Sequence, residues 1–138
     1  DDGDGAYLAM KQAVERACIN PACVGYINAH GTGTPNNDIS ETHAMQRLFG
    51  DNVPPVSSTK SSTGHTTSAS GAIESVITIM AITNNFLPAN IGFHTPIDGG
   101  ISPVSTPKLN TRIDYALCNS FGFGGNDSSL LFKRIKFQ

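Results

Sequence analysis

Charge is scarce in this sequence. Lys, Arg, Asp and Glu together make up 14% of its 138 residues, where a free-standing soluble domain usually carries about 25%. A surface this poor in charge is expected to be partly buried against another domain or another copy. No surplus of basic residues is present either, since the formal net charge is −2, so nothing favours a nucleic-acid backbone or an anionic membrane. No apolar run approaches the roughly 20 residues that span a bilayer. The opening Asp1-Asp2-Gly3-Asp4 is acidic and is not a secretory leader. It lacks an initiator Met, the expectation for a piece of a longer protein. Cysteine is sparse and odd in number, at Cys18, Cys23 and Cys118. Unpaired thiols point to a reducing, cytoplasmic setting. Cys18 and Cys23 are not followed by a third and fourth ligand at zinc-site spacing.

The hydrophobic 38% of the chain is enough for one core-bearing domain over residues 1–138. Its pattern predicts a helix over 6–17, with Ala6, Met10, Ala13, Val14 and Ala17 on one stripe and Asp4 as its cap. A buried strand follows over 24–29 and ends in the loop His30-Gly31-Thr32-Gly33-Thr34-Pro35. A second helix runs from Asp38 to Phe49, with Asp38 and Glu41 as a capping box and Gly50 as its stop. Residues 56–60 read as a strand and 61–65 as a turn. The longest helix covers about 66–84, its apolar side formed by Ile73, Val76, Ile77, Met80 and Ala81. A loop rich in Pro, Gly and Asn occupies 86–112. Strands at 115–120 and 128–135 flank the glycine turn Phe121-Gly122-Phe123-Gly124-Gly125 as a hairpin. Strands alternating with helices imply an α/β fold with a mixed sheet, and the hairpin supplies its antiparallel part.

Ligands of open α/β sheets usually bind at the C-terminal strand ends. Here those ends deliver His30, then Lys60 with His65 five residues on, then the glycine turn. Two neutral imidazoles can donate hydrogen bonds to a carbonyl becoming an enolate, and a glycine turn can present a backbone N–H to a tetrahedral oxyanion. A buried lysine can orient a histidine or tune its protonation. These are the needs of carbon–carbon bond formation on thioesters. Taken singly, each residue has a plainer reading. A histidine after a strand, a solvated lysine, turn threonines at 32 and 34 and core phenylalanines at 121 and 123 are all ordinary. His43 and His94 read as surface residues.

The series is more specific than its parts. Asn28-Ala29-His30-Gly31-Thr32-Gly33-Thr34-Pro35 resembles the first histidine motif of the β-ketoacyl-[acyl-carrier-protein] synthases. Ser57-Ser58-Thr59-Lys60-Ser61-Ser62-Thr63-Gly64-His65 resembles their lysine and second histidine motif. Ser70-Gly71-Ala72-Ile73-Glu74 resembles the helix that follows, and Asn119-Ser120-Phe121-Gly122-Phe123-Gly124-Gly125 their closing glycine turn. The resemblance is to the elongating type, also seen as the ketosynthase of polyketide synthases. It implies a thiolase-like fold, two similar halves layered α-β-α-β-α, of which this chain is the second. It also implies decarboxylative Claisen condensation of malonyl-carrier protein with an acyl thioester. His30 and His65 would hold the malonyl carbonyl, and Lys60 would hold the histidine network, paired with Glu74. The Phe123 N–H would form half of an oxyanion hole and its ring a gate, next to Phe121 and Gly124. Thr32 and Thr34 would bind the phosphopantetheine arm.

Asn28, Glu41 and Glu74 resemble a site that sometimes holds a structural cation. No cofactor is implied beyond the phosphopantetheine that carries the substrates. The implied partners are acyl carrier protein, the N-terminal half of the same protein and a second copy in a homodimer. The family's nucleophilic cysteine, in an alanine-cysteine-serine type motif, is not in this sequence, and Cys118 matches a structural position. The chain alone is therefore expected to be inactive in condensation. Asn126-Asp127 stands where threonine-asparagine is usual, and Thr66-Thr67-Ser68 is more polar than the family's pattern. A non-catalytic, chain-length-factor-like partner is the alternative; such partners tend to lose the nucleophile or the histidines, and both histidines are kept here.

Overall fold

The computed structural model describes residues 2–122 and 124–135. A four-stranded sheet of order β2-β1-β3-β4 forms its centre. The strands are β1 (Tyr26–Asn28), β2 (Val56–Ser57), β3 (Tyr115–Gly122) and β4 (Asn126–Lys133). β1 runs parallel to both β2 and β3, and β4 returns antiparallel to β3. The expected mixed α/β sheet is therefore present.

Helices α1 (Asp4–Arg16) and α2 (Pro35–Phe49) cover one face, and α4 (Ser70–Asn84) covers the other. Strand alternation assigns the side chains. Ile27, Ala29, Val56 and Leu117 meet Met10, Val14, Ala44 and Met45 of the first face. Tyr26 and Ala116 pack with Ala81, Ile82, Leu87 and Ile113 on the second.

The elements depart from expectation in places that matter for the site. α1 begins at Asp4 behind an N-cap Gly3 with φ 75°. Asp4 caps nothing; its carboxylate instead takes the Arg47 guanidinium at 2.6 Å. Ala6, Met10 and Val14 of the predicted stripe are buried, while Ala17 is exposed. α2 starts earlier than predicted, because Pro35 suits the first helical position behind Thr34. That shift removes the capping box, and the Asp38 and Glu41 carboxylates reach back to the loop before the helix.

β2 is only two residues long, and Lys60–Thr63 forms a helical turn, α3, where strand end and turn were expected. β3 and β4 run to Gly122 and from Asn126, so the hairpin turn is tighter than 121–125. Gly124 and Gly125 sit there at φ 82° and 80°, a conformation that favours glycine.

The largest reversal concerns α4. Its predicted apolar side is not its buried side. Ser70, Glu74, Thr78, Ala81 and Ile82 face inward, while Val76, Ile79 and Met80 are 56%, 46% and 50% exposed. Of the five residues expected inside, only Ala81 is fully buried. The helix is apolar over most of its circumference, and the sheet beneath it offers polar partners, Asn28 and Cys118. Polar residues of α4 therefore turn inward to meet them.

Candidate active site

β1 and β2 end side by side, so the residues after them meet. His30 follows β1 and is 7% exposed. Lys60 begins α3 just beyond β2, and its ammonium has three acceptors: His30 O at 2.6 Å, Glu74 Oε1 at 2.5 Å and His30 Nδ1 at 3.2 Å. An ammonium has exactly three protons to give and accepts none. His30 Nδ1 is thus an acceptor, and the ring proton sits on Nε2. Burial, then the charge of Lys60, then His65 lower the His30 pKa to about 4. The imidazole is neutral at physiological pH and free to donate from Nε2.

His65 reaches the same tautomer by another route. Its Nδ1 accepts the Thr67 backbone N–H at 3.1 Å and lies 3.2 Å from Ser70 Oγ. The two imidazole rings stand edge to face, 5.7 Å between centroids at 88°. Phe121 at the end of β3 also lies 5.7 Å from the His30 ring. Two N–H donors of neutral rings therefore share one small region at the strand ends.

The loop bearing His30 is held from behind. Glu41 is 2% exposed, and its two oxygens accept the backbone N–H groups of His30 and Gly31, each at 2.9 Å. Asn119 of β3 donates to the same carboxylate at 3.0 Å, and Asn37 at 3.4 Å. Burial pushes the Glu41 carboxyl up, and these donors pull it back. Gly31, at φ 41°, passes so close to Ser58 that a Cβ there would lie 2.5 Å from the Ser58 Cβ. Thr32 and Thr34 join hydroxyls at 2.8 Å. They stand at the loop's rim, half-buried and exposed respectively.

The lysine end is equally enclosed. Lys60 and Glu74 side chains are 5% and 1% exposed. Burial raises the Glu74 carboxyl, and Lys60 opposes the rise. Asn28 donates to Thr59 Oγ1, Thr78 Oγ1 and the Glu74 carbonyl at 3.1–3.2 Å.

Asn28, Glu41 and Glu74 are largely taken up by protein partners, while Glu74 Oε2 is buried without a hydrogen-bond partner. Both Glu41 oxygens accept N–H groups, Glu74 Oε1 takes Lys60, and the Asn28 amide nitrogen faces the Glu74 carbonyl. Among the described residues, no group of three His, Cys, Asp or Glu side chains converges as metal ligands.

His30, Lys60, His65, Glu74 and Phe121 thus come together, with Thr32 and Thr34 beside them. Gly124 is in the hairpin turn, and Phe123 lies outside the described residues. His43 and His94 are exposed, and Cys118 is a buried free thiol facing Ser75 of α4. Sequence reasoning gave no role to Asn119 or Ser70. Asn119 opens the glycine-turn motif, and Ser70 is five residues past His65, but only the fold brings each to its partner.

Residues 1–94 match the family described as Beta-ketoacyl synthase, C-terminal domain. The chain is 42% identical over 139 residues to the 3-oxoacyl-[acyl-carrier-protein] synthase 2 of Vibrio harveyi, covering 98% of this chain and 34% of that protein. It is 43% identical over 138 residues to the synthase 2 of Synechocystis sp., covering 98% and 33%. It therefore spans about a third of the length of these relatives. A β-ketoacyl synthase structure from Burkholderia phymatum superposes with TM-score 0.88 at 34% identity, covering 97% of this chain and 33% of that one. A type II PKS ketosynthase in complex with its acyl-carrier protein, AntDE:AntF, superposes at 0.91 with 32% identity, covering 98% and 34%. None of the helices among the described residues is long and apolar enough to cross a membrane. With its motifs in order, its sheet superposing on solved ketosynthases and its sequence matching over most of its length, the chain belongs to the β-ketoacyl synthase family, as a C-terminal domain of thiolase-like fold.

Proposed function

We propose that this chain is the decarboxylating half of an elongating 3-oxoacyl-[acyl-carrier-protein] synthase acting in fatty acid or polyketide synthesis. The observation that carries the reading is the pair of neutral histidines. Each is acceptor-bound at Nδ1 and each therefore has an Nε2–H to give. In the proposed reaction a malonyl thioester loses CO₂, and the electrons of the broken C–C bond flow onto the thioester oxygen. His30 and His65 donate hydrogen bonds to that oxygen as it becomes an enolate oxyanion. The enolate carbon then attacks an acyl thioester held on a cysteine. A C–C bond forms, the C–S bond breaks, and the cysteine leaves as a thiolate. That cysteine belongs to the first half of the family's fold, so the isolated chain is inactive in condensation.

Lys60 keeps His30 neutral and oriented. Thr32, half-buried, and Thr34, exposed, stand at the rim and suit a phosphopantetheine arm entering from solvent. Phe123, outside the described residues, is the proposed N–H donor of an acyl oxyanion hole, with Phe121 and Gly124 as its neighbours in the chain. The reaction draws on no resident cofactor. Acyl carrier protein is the proposed partner, as it is of the AntDE:AntF ketosynthase. The exposed apolar side of α4, Val76, Ile79 and Met80, with Leu130 of β4, supports a seat for the N-terminal half. A homodimer of the complete protein completes the assembly. Three free cysteines, two of them exposed, agree with a cytoplasmic, reducing compartment. A non-catalytic partner subunit is the lesser reading, because both histidines and their lysine are assembled here.

The test uses the complete protein. His30→Ala and His65→Ala should each abolish condensation while acyl transfer to the cysteine persists in part. Normal condensation by both variants contradicts the assignment.

A further inference from the structure

We propose that Ser70 is a positioning residue for His65, acting through Nδ1 to hold the imidazole in the tautomer that the reaction uses. The inference rests on the function proposed above for His65 and names the group that makes it dependable in this chain.

His65 is the less supported of the two histidines. His30 is buried, with a lysine on one nitrogen and a clamped backbone, whereas His65 lies on an exposed turn. Its edge-to-face contact with the His30 ring does not decide which nitrogen faces the site, so the hydrogen bonds at Nδ1 must. One comes from the Thr67 N–H at 3.1 Å. Thr67 sits at φ 50°, a left-handed conformation that a β-branched residue adopts only under strain. An anchor on a strained turn can relax away from its acceptor.

Ser70 is the second anchor, and it is built into a rigid place. It is 4% exposed and opens α4, with its own N–H bound to Thr67 O. The next residue, Gly71, lies against β3 so closely that a Cβ there would be 3.1 Å from Ser120 Oγ. The first turn of α4 therefore has little freedom to shift. Ser70 Oγ is 3.2 Å from His65 Nδ1 and 3.3 Å from Thr66 Oγ1.

Direction follows from chemistry. A backbone N–H can only donate, so Thr67 makes Nδ1 an acceptor. Nδ1 has a single lone pair and no proton to give, so the Ser70 hydroxyl shares that lone pair with the Thr67 N–H as a second donor, and the Thr66 hydroxyl donates to Ser70. The chain Thr66, Ser70, His65 is polarised toward the ring and leaves the proton on Nε2. Without Ser70 the ring can flip, or take its proton on Nδ1 once the Thr67 turn relaxes. Either change removes a donor from the developing enolate.

The experiment uses the complete synthase containing this chain, as wild type, Ser70→Ala and Ser70→Thr. Two readouts are taken: the ring-nitrogen NMR spectrum of His65, and kcat and KM for decarboxylation of a malonyl thioester. Wild type should show a single Nε2–H tautomer. Ser70→Ala, which suits a helix start and keeps the thermal midpoint, should add a second tautomer or rotamer. Its kcat should fall about tenfold with KM unchanged, the worth of roughly one hydrogen bond. Ser70→Thr restores the hydroxyl and should restore both readouts. An unchanged nitrogen spectrum in Ser70→Ala overturns the proposal, and so does a changed spectrum with an unchanged kcat. A wild-type enzyme that decarboxylates nothing overturns the proposed function instead, and the spectrum still decides whether Ser70 sets the tautomer.

Discussion

Lys60 does two jobs with one ammonium, and they have different signatures. It neutralises a buried carboxylate, Glu74, and it adds its charge to the burial that denies His30 a proton. Lys60→Ala leaves the Glu74 carboxylate buried without its cation, which typically costs about 3–5 kcal/mol. A denaturant titration of the complete protein should show a loss of that size, and a loss under 1 kcal/mol contradicts the pairing. The His30 effect is read by pH. Its folded pKa, about 4, lies below its ordinary 6.5. Between those values the unfolded chain binds a proton that the folded chain refuses. Stability from this group is therefore present above pH 6.5 and lost as pH falls toward 4. The raised carboxyls of Glu41 and Glu74 act in the opposite sense, so the comparison must be with His30→Gln. The wild type should lose more stability than His30→Gln between pH 7 and pH 5. Equal losses contradict a depressed His30.

Among the elements, the His30 loop and α4 carry the main lessons. Glu41→Gln replaces one acceptor oxygen with a donor that faces the N–H groups of His30 and Gly31. Those two amides should lose hydrogen-exchange protection while the β3–β4 hairpin keeps its own. Uniform loss across the molecule contradicts a local clamp.

The loop's position was legible in the sequence. Two glycines and a proline after an apolar run mark a strand end, and the glycine run after 115–120 likewise located the hairpin. What holds the loop was not legible. Glu41 looks like a capping residue at three-residue spacing from Asp38, and only the earlier helix start at Pro35 frees it to reach backward. α4 was misread for a physical reason too. Periodicity assumes that the apolar side of a helix faces its own core. Here Glu74 and Thr78 face inward because the site lies beneath them, and Val76 and Met80 face away.

Taken whole, the chain leaves an apolar side of α4 exposed, which the proposed function takes as the seam with the N-terminal half. The low charge of the sequence and the outward apolar side of α4 are the same fact at two levels. Val76→Lys with Ile79→Lys should therefore have opposite effects in two contexts. It should make the isolated chain more soluble and monomeric in sedimentation, and it should lower the thermal midpoint of the complete protein. A wild-type isolated chain that sediments as a clean, stable monomer contradicts the seam. The central claim, that His30 and His65 serve one oxyanion together, is tested most directly by a double-mutant cycle. The measurement is the decarboxylation rate of malonyl-carrier protein by the complete enzyme, by His30→Ala, by His65→Ala and by the double variant. Groups that act as a unit are not additive. Each single variant should lose on the order of 10²-fold or more in kcat, and the double variant little beyond that. Near-wild-type rates in either single variant, or losses that multiply in the double, contradict the shared site.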